Sequence, residues 1–326
     1  MSVSIGLFQI KDISTYRSEL MAWSILWIMM LHFTFTQIKP FGFIAQYGFV
    51  GVDIFMLVSG LGLYFSLENK KLIDFYKKRI FRIFPTYYLI GLLYNIILFH
   101  DDILTYLYRF TTLGYWTGGV FGEWYIPTIV LYYLFSPLIK KVFDRRWPFI
   151  LTILGSISLF SIGLSWYLCA KQYPMSRLHF FSIYRINSFL FGMLCAYWLK
   201  KGISTKTFLC FLILGIPLFI HLFPLHHQIY NYKYLSLFFL LPSFTVCLIM
   251  LSKWLKIIGR LLKHLGTSSL EIYLIQDILF RKNLFELLQI PNEWHDATTI
   301  TLICISCMLG MSIHWLINRS RITRAR

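Results

Sequence analysis

Charge is scarce in this chain, and acidic charge is the scarcest. Asp, Glu, Lys and Arg make up 14% of the 326 residues, against 57% hydrophobic residues, whereas soluble domains carry about 25% charged residues. The 14 acidic residues are outnumbered by 31 basic ones, which gives a net charge of +17. The length alone would suit one or two soluble domains, but this composition excludes them.

A thiolate metal motif and a cleavable signal peptide are also missing. All the cysteines fall inside or at the edge of apolar segments, and Cys304 and Cys307 lack the spacing of a usual metal site. We therefore expect small buried thiols and no metal site. The first apolar run begins near residue 19 and is too long for a signal sequence, so we expect it to remain as a membrane span.

The chain has instead ten apolar segments, most of them long enough for the ~20 residues that cross a bilayer as a helix. They lie at residues 19–37, 46–67, 83–100, 120–139, 148–169, 184–199, 207–223, 233–252, 265–281 and 298–317. This pattern predicts an all-α polytopic membrane protein with about ten transmembrane helices.

The basic residues alternate between the connections that join these segments. Every second connection carries a cluster of Lys and Arg, and the connections between them carry few. By the positive-inside rule, both termini are cytoplasmic and the chain is a multi-pass protein of the cell (inner or plasma) membrane. Because the cations stand at helix ends, where anionic headgroups favour them, we expect membrane lipids and not nucleic acid as their partners.

Two titratable side chains lie inside neighbouring apolar segments. A charged side chain at the centre of a membrane helix raises the free energy of insertion by at least ~2.5 kcal/mol. His32 lies near the outer end of the first segment, and Asp53 lies at a similar depth in the second, ~10 Å below the surface. We predict that they pair and that Asp53 supports His32 as a general base for a hydroxyl. The alternatives are a histidine satisfied by another helix and a structural hydrogen bond between two helices.

A basic stretch at residues 77–82 leads into the third segment. Arg79 and Arg82 are three residues apart and share one side of a helix, where guanidinium groups can clamp phosphates. Setting the topology and contacting lipid are the alternative roles of this cluster. Further along, Glu271 and Gln276 fall within the ninth segment, where each needs a partner.

Five short motifs follow one another along nearly the whole chain. They are Arg-Ser-Glu-Leu at 17–20, Gly-Val-Asp-Ile-Phe-x-x-x-Ser-Gly at 51–60, Phe-Tyr-Lys-Lys-Arg-x-x-Arg-Ile-x-Pro at 75–85, Trp-Tyr-Ile-Pro at 124–127 and Ser-Leu-Glu-Ile-Tyr-Leu-Ile at 269–275. In this order, with His32 ending the first span, they resemble the acyltransferase-3 family of integral-membrane O-acyltransferases.

The resemblance implies one transmembrane acyltransferase domain over residues 1–326, with no extracytoplasmic accessory domain. It implies transfer of an acyl group, usually acetyl from cytoplasmic acetyl-CoA, to a hydroxyl of an envelope glycan or glycolipid. Family members are thought to use the histidine of the first span, here His32. They also use arginines near the cytoplasmic end of the third span, here Arg79 and Arg82.

Two positions depart from the family pattern. Many members carry an arginine eleven residues before the histidine, where this chain has Met21, and the nearest arginine is Arg17. Along a continuous helix Arg17 lies ~22 Å from His32, so we expect it to bind the CoA end while His32 serves the acceptor end. Gln276 stands where many relatives have a histidine, which argues against a two-histidine mechanism.

These observations give one hypothesis for the reaction. The phosphates of acetyl-CoA bind Arg79, Arg82 and Arg17, and the thioester reaches through the bundle toward His32. The residues expected to bind the acceptor are Glu123, Trp124, Arg185 and Gln276. The alternative is a secondary transporter or lipid-linked glycan flippase in which His32 and Asp53 relay protons. The acceptor sugar, the acyl chain length and the oligomeric state, including a homo-oligomer, stay open.

Overall fold

The computed structural model of the chain consists of helices and their connections over the residues it describes. These are 8–33, 35, 38–68, 71–117, 124–170, 182–202, 213–217, 219–220, 238–281 and 289–324. The α-helices are α1 (Asp12–Thr15), α2 (Arg17–Phe33), α3 (Lys39–Ala45), α4 (Val50–Glu68), α5 (Leu72–Tyr94), α6 (Ile103–Phe110), α7 (Leu113–Trp116), α8 (Tyr125–Phe143), α9 (Trp147–Ala170), α10 (Ile186–Lys200), α11 (Leu241–Trp254), α12 (Gly259–Thr267), α13 (Ser269–Arg281) and α14 (His295–Arg324). A π-helical turn, Asn95–Phe99, continues α5, and 3-10 turns at Lys256–Ile258 and Asn292–Trp294 precede α12 and α14.

Within the described residues, four helices are long and apolar enough to cross a membrane. They are Val50–Glu68, Leu72–Phe99, Tyr125–Phe143 and Asn292–Arg319. A fifth span is added if Leu241–Trp254 and Lys256–Thr267, which meet at an angle of 87°, count as one broken span. The helical fold with membrane-length apolar helices is therefore confirmed, whereas the count of ten spans, the cytoplasmic termini and the single-domain organisation stay predictions.

Every predicted apolar segment except the seventh overlaps one of the labelled helices. Of the seventh, only 213–217 and 219–220 are described, and both pieces are helical. Part of the difference in span count arises because α2, α10 and α13 have 17, 15 and 13 residues, and of α9 the stretch Phe149–Leu164 counts only as a shorter apolar helix. Each is shorter than the ~20 residues of a full crossing.

Helix α4 lies between α2 and α10, and glycines allow both contacts. On one face, a Cβ added to Gly51 would lie 2.6 Å from the carbonyl oxygen of Ser24 in α2. On the other face, a Cβ added to Gly60 would overlap the carbonyl oxygen of Phe189 in α10. Small residues at such crossings let helix backbones touch, and close packing of this kind holds helices together in lipid.

The C-terminal helices α12, α13 and α14 also pack closely through glycines. A Cβ on Gly266 of α12 would overlap the carbonyl oxygen of Ser18 in α2, and Gly310 of α14 lies directly against Ile272 of α13. Helix α2 therefore contacts α4 on one side and α12 and α13 on the other. A space remains between α2, α4, α5, α8 and α13, and it is here that the arginines of the sequence motifs collect.

Candidate active site

A cavity of about 300 Å³ lies between these five helices. On α2 its lining extends from Arg17 to Ile28, which is ~16 Å of helix. Arginines line one end, and apolar and aromatic side chains such as Phe55, Tyr125 and Tyr273 line the rest. The cavity is therefore long, with a cationic end and an apolar end.

All three arginines that the sequence predicts for the acyl donor line this one cavity. Arg17 begins α2, and Arg79 and Arg82 lie on the second and third turns of α5. Arg17 comes close because its guanidinium packs over Gly62 of α4, where an added Cβ would lie 3.1 Å from Nη1. Arg17 thus reaches the space that Met21 also lines, so the arginine missing at position 21 has a structural counterpart one turn earlier.

The charge of Arg82 is already balanced within the protein. Its Nη1 donates to Oε1 of Glu271 at 3.0 Å and its Nη2 donates to the carbonyl oxygen of Thr267 at 2.9 Å. The Glu271 side chain is fully buried; it also accepts from Thr86 at 3.3 Å and lies 3.2 Å from Nδ1 of His314. Glu271 therefore has the partners that its place in the ninth segment requires, and Arg82 ties α5 to α12 and α13.

Arg17 and Arg79 differ from Arg82, because no carboxylate pairs with either among the described residues. The Arg79 guanidinium lies 5.5 Å from the ring centres of Phe75 and Tyr133. The Nε atoms of Arg17 and Arg79 are buried and have no hydrogen-bond partner in the described part of the chain. Partly buried cations that lack a counter-ion are unfavourable, so this end of the cavity is suited to bind an anion.

His32 is held by α13. Its Nδ1 lies 2.8 Å from Oε1 of Gln276, and its ring stacks on Phe280 with centroids 4.8 Å apart and an interplanar angle of 20°. The cavity stops short of the imidazole: Ile28, one turn earlier on α2, lines it, and His32 does not. In this conformation about 6 Å of helix separates the apolar end of the cavity from His32.

The expected pair of His32 and Asp53 is not formed. Asp53 instead accepts from Nη1 of Arg185 at 2.5 Å and from Oγ of Ser188 at 2.7 Å. Arg185 also donates to the carbonyl oxygen of Phe49 at 3.2 Å. The carboxylate therefore connects α4 to α10 and does not support the imidazole.

The helical wheel of α4 explains why the prediction was wrong. Gly51 and Gly62 are three turns apart and both face α2. Asp53 is two residues past Gly51, which turns it about 200° away from α2. Asp53 and Gly60 are instead seven residues apart and share the face that packs on α10. The depths differ as well: Gly51 meets Ser24 and Ile28, and Gly62 meets Arg17, so Asp53 is level with a point on α2 about two turns before His32.

Two of the predicted acceptor-binding residues come together near the start of α4. The Arg185 guanidinium lies 5.9 Å from the ring of Trp124, and the Arg185 side chain is 1% exposed. Gln276 lies apart from them, beside His32. Glu123 lies outside the described residues.

Sequence reasoning missed several residues around the cavity. His314 is titratable and lies inside the last apolar segment, so the rule applied to His32 would have identified it. Tyr125, Tyr133 and Tyr273 line the cavity but give no such signal, because the chain has 21 tyrosines. Over the described residues, no group of three or more His, Cys, Asp or Glu side chains could hold a metal ion.

Comparison with known proteins gives one match. No curated protein and no solved structure matches the chain. A family model described as an acyltransferase domain matches residues 20–319, nearly the whole chain, and it confirms the resemblance carried by the five motifs. The match gives no support to the transporter alternative. This membrane protein belongs to the acyltransferase-3 family.

Proposed function

We propose that the chain is an O-acetyltransferase of the cell membrane. It moves an acetyl group from cytoplasmic acetyl-CoA to a hydroxyl of a cell-envelope or exported polysaccharide or glycolipid. The observation that carries the proposal is the cavity, which has at one end two arginines that pair with no carboxylate among the described residues and which ends one turn from His32 at the other. A donor with a phosphate-rich head and a thin thioester arm matches this distribution of charge.

Arg17 and Arg79 bind the phosphates of the donor in this proposal. Guanidinium groups bind phosphate oxygens through paired N–H donors, and a buried setting strengthens such bonds. Arg82 contributes differently from the sequence-based prediction, because Glu271 already balances its charge and the Thr267 carbonyl accepts from a second of its N–H donors. Its part is to hold α5 against α13, so that Arg79 stays at the cavity.

His32 takes the proton in the transfer step. The acceptor hydroxyl attacks the thioester carbonyl carbon and forms the new ester bond while its proton moves to the imidazole. The C–S bond then breaks, and the proton passes to the departing thiolate of CoA. Direct transfer is preferred to an acyl-His intermediate, and the thioester must pass Ile28, which requires that side chain to move.

The acceptor approaches from the outer side. Trp124 offers an aromatic face of the kind on which sugar rings stack, and Arg185 lies against it. The role of Asp53 changes accordingly: through Arg185 it positions this acceptor-binding region and does not act on the base.

Donor binding to the purified chain tests the cationic end. We expect Arg17→Ala and Arg79→Ala each to weaken acetyl-CoA binding about 10-fold or more, since a hydrogen bond to a charged group contributes about 1.5–3 kcal/mol. Acetyl-pantetheine lacks the nucleotide phosphates, so its weaker binding should not change. Lys77→Ala and Lys78→Ala, on exposed positions of the same helix, are the matched controls. Equal loss for both ligands would contradict phosphate recognition.

Mass spectrometry of envelope polysaccharide, with and without the chain, tests the reaction itself. We expect O-acetyl groups to disappear when the chain is removed and to stay absent when His32→Ala replaces it. Full O-acetylation in the His32→Ala strain would remove His32 from the mechanism.

A further inference from the structure

Helix α13 holds the His32 imidazole at two points one turn apart. Gln276 meets the ring edge through a 2.8 Å contact to Nδ1, and Phe280, four residues later, stacks on the ring face. Residues four apart share one face of a helix, so one rigid element sets both the ring plane and the rotation of the ring within that plane. A histidine that merely filled space would not need both contacts.

The atom that Gln276 presents determines where the imidazole carries its proton. The contact is made by the amide oxygen, which only accepts hydrogen bonds, so Nδ1 is the donor. A neutral imidazole protonated at Nδ1 has its basic lone pair at Nε2. The amide nitrogen of Gln276 is meanwhile buried and has no hydrogen-bond partner among the residues that the structure describes. An unsatisfied buried donor is unfavourable. The amide orientation therefore gives His32 an acceptor, while the N–H donors of Gln276 itself stay unsatisfied.

We propose that Gln276 is the positioning residue for His32, and that it fixes the Nδ1-protonated tautomer and thereby presents Nε2 as the base. Its catalytic meaning rests on the proposed function, whereas the tautomer is a property of the resting protein. Gln276 therefore takes the supporting part that the sequence assigned to Asp53, but as a neutral partner. It orients the ring without adding a negative charge beside it.

Carboxylates near the outer ends of the neighbouring elements are engaged by other groups. Asp277 of α13 accepts from Tyr94 of α5, and Asp296 of α14 accepts from the backbone N–H of Ile38. Asp53 of α4 holds Arg185. Lys39 on α3 is exposed, and His295 lies 3.8 Å from Asp296. Gln276 contacts the edge of the His32 ring, so we expect the residue at position 276 to influence the pH response of His32.

Nitrogen-15 NMR of histidine-labelled full-length protein in nanodiscs tests the tautomer without any activity assay. The His32 signals are assigned by their loss in His32→Ala. We expect the wild-type spectrum to show Nδ1 protonated, and Gln276→Leu, which keeps the volume but removes the acceptor, to lose this preference. Protonation at Nε2 in the wild type, or an unchanged tautomer in Gln276→Leu, would overturn the proposal.

The pH dependence of acetyl transfer provides the catalytic test. In Gln276→Glu a carboxylate replaces the amide, so we expect the acid limb of the kcat profile to move up by about one pH unit, with KM for acetyl-CoA unchanged. In Gln276→Leu we expect kcat to fall ~10-fold or more. Ile278→Val, on the opposite face of α13, is the matched control and should leave the profile unchanged.

The outcomes separate this proposal from the proposed function. An unmoved acid limb in Gln276→Glu and an undiminished kcat in Gln276→Leu would overturn the positioning role even if His32→Ala is inactive. A wild-type chain that transfers no acetyl group would instead overturn the proposed function, and the NMR result would still decide the tautomer. If Gln276→Glu does not fold, the Gln276→Leu spectrum and kcat decide between the outcomes.

Discussion

Asp53 and Arg185 form a buried ion pair between α4 and the start of α10, with side chains 6% and 1% exposed. Removing one partner of such a pair leaves the other as a buried charge without compensation. We therefore expect Asp53→Ala or Arg185→Ala to lower the free energy of unfolding by about 3–5 kcal/mol. The double variant should lose less than the sum of the two, because the second change removes the stranded charge.

Unfolding of the purified variants in mixed micelles measures these differences. Asp144→Ala is the matched control, because its carboxylate is 60% exposed and lies 3.8 Å from Lys140, so its loss should cost about 0–1 kcal/mol. Strictly additive losses for Asp53→Ala and Arg185→Ala would mean that the two side chains do not depend on each other.

At the scale of residues, the sequence predicted which buried polar side chains need a partner, but it did not predict which residue the partner is. His32, Asp53, Glu271 and Gln276 were each expected to require one, and each has one. Counting residues along the predicted spans set His32 and Asp53 at one depth, but the contacts between α2 and α4 place Asp53 near the level of Ser24. The face that a helix presents likewise depends on which neighbour it packs against. The contacts His32–Gln276 and Arg82–Glu271 join residues 244 and 189 positions apart, where no local spacing rule applies.

At the scale of elements, the apolar segments predicted where helices occur more accurately than where those helices begin and end. The third segment was expected to begin at residue 83, but α5 begins at Leu72 and includes the whole basic stretch. Hydrophobicity marks only the part of a helix that lies in lipid, and basic turns beyond it remain helical. The prediction that Arg79 and Arg82 share one side of a helix agrees with α5, but their different partners depend on α8 and α13.

The crossing of α4 and α10 gives a prediction for helix packing. A Cβ on Gly192 would overlap the carbonyl oxygen of Leu57, which is backbone and cannot turn aside. We expect Gly192→Ala to destabilise the protein by about 1–3 kcal/mol through overpacking. Gly155→Ala on α9 is the matched control, because no described atom beyond the adjacent backbone of α9 lies within 4 Å of the added Cβ.

Thermal unfolding followed by circular dichroism distinguishes the two glycine variants. Gly155→Ala should be neutral or stabilising by up to about 1 kcal/mol, since alanine favours a helix more than glycine does. An unchanged midpoint in Gly192→Ala would show that α4 and α10 can separate without cost, and the close crossing would then not hold the bundle together.

At the scale of the whole molecule, the proposed reaction requires the donor and the acceptor to reach the bundle from opposite sides of the membrane. The arginine end of the cavity marks one side: Arg17 packs on Gly62 of α4, and Glu68 at the end of that helix lies 3.9 Å from Lys140. Asp144 follows Lys140 by one turn and so lies on the same side. Leu104, beyond the far end of α5, is 75% exposed and marks the opposite side.

The distribution of basic residues predicts which side is which, and labelling of intact cells tests it. In a background with the native cysteines replaced, we expect a membrane-impermeant thiol reagent to label Leu104→Cys in intact cells. Asp144→Cys should be labelled only after the cells are opened, because positive-inside topology places it in the cytoplasm. Labelling of both positions in intact cells would mean that α8 does not cross the membrane between them. Labelling in the reverse order would turn the arginine end away from cytoplasmic acetyl-CoA, and Arg17 and Arg79 would then need an anion supplied from outside the cell.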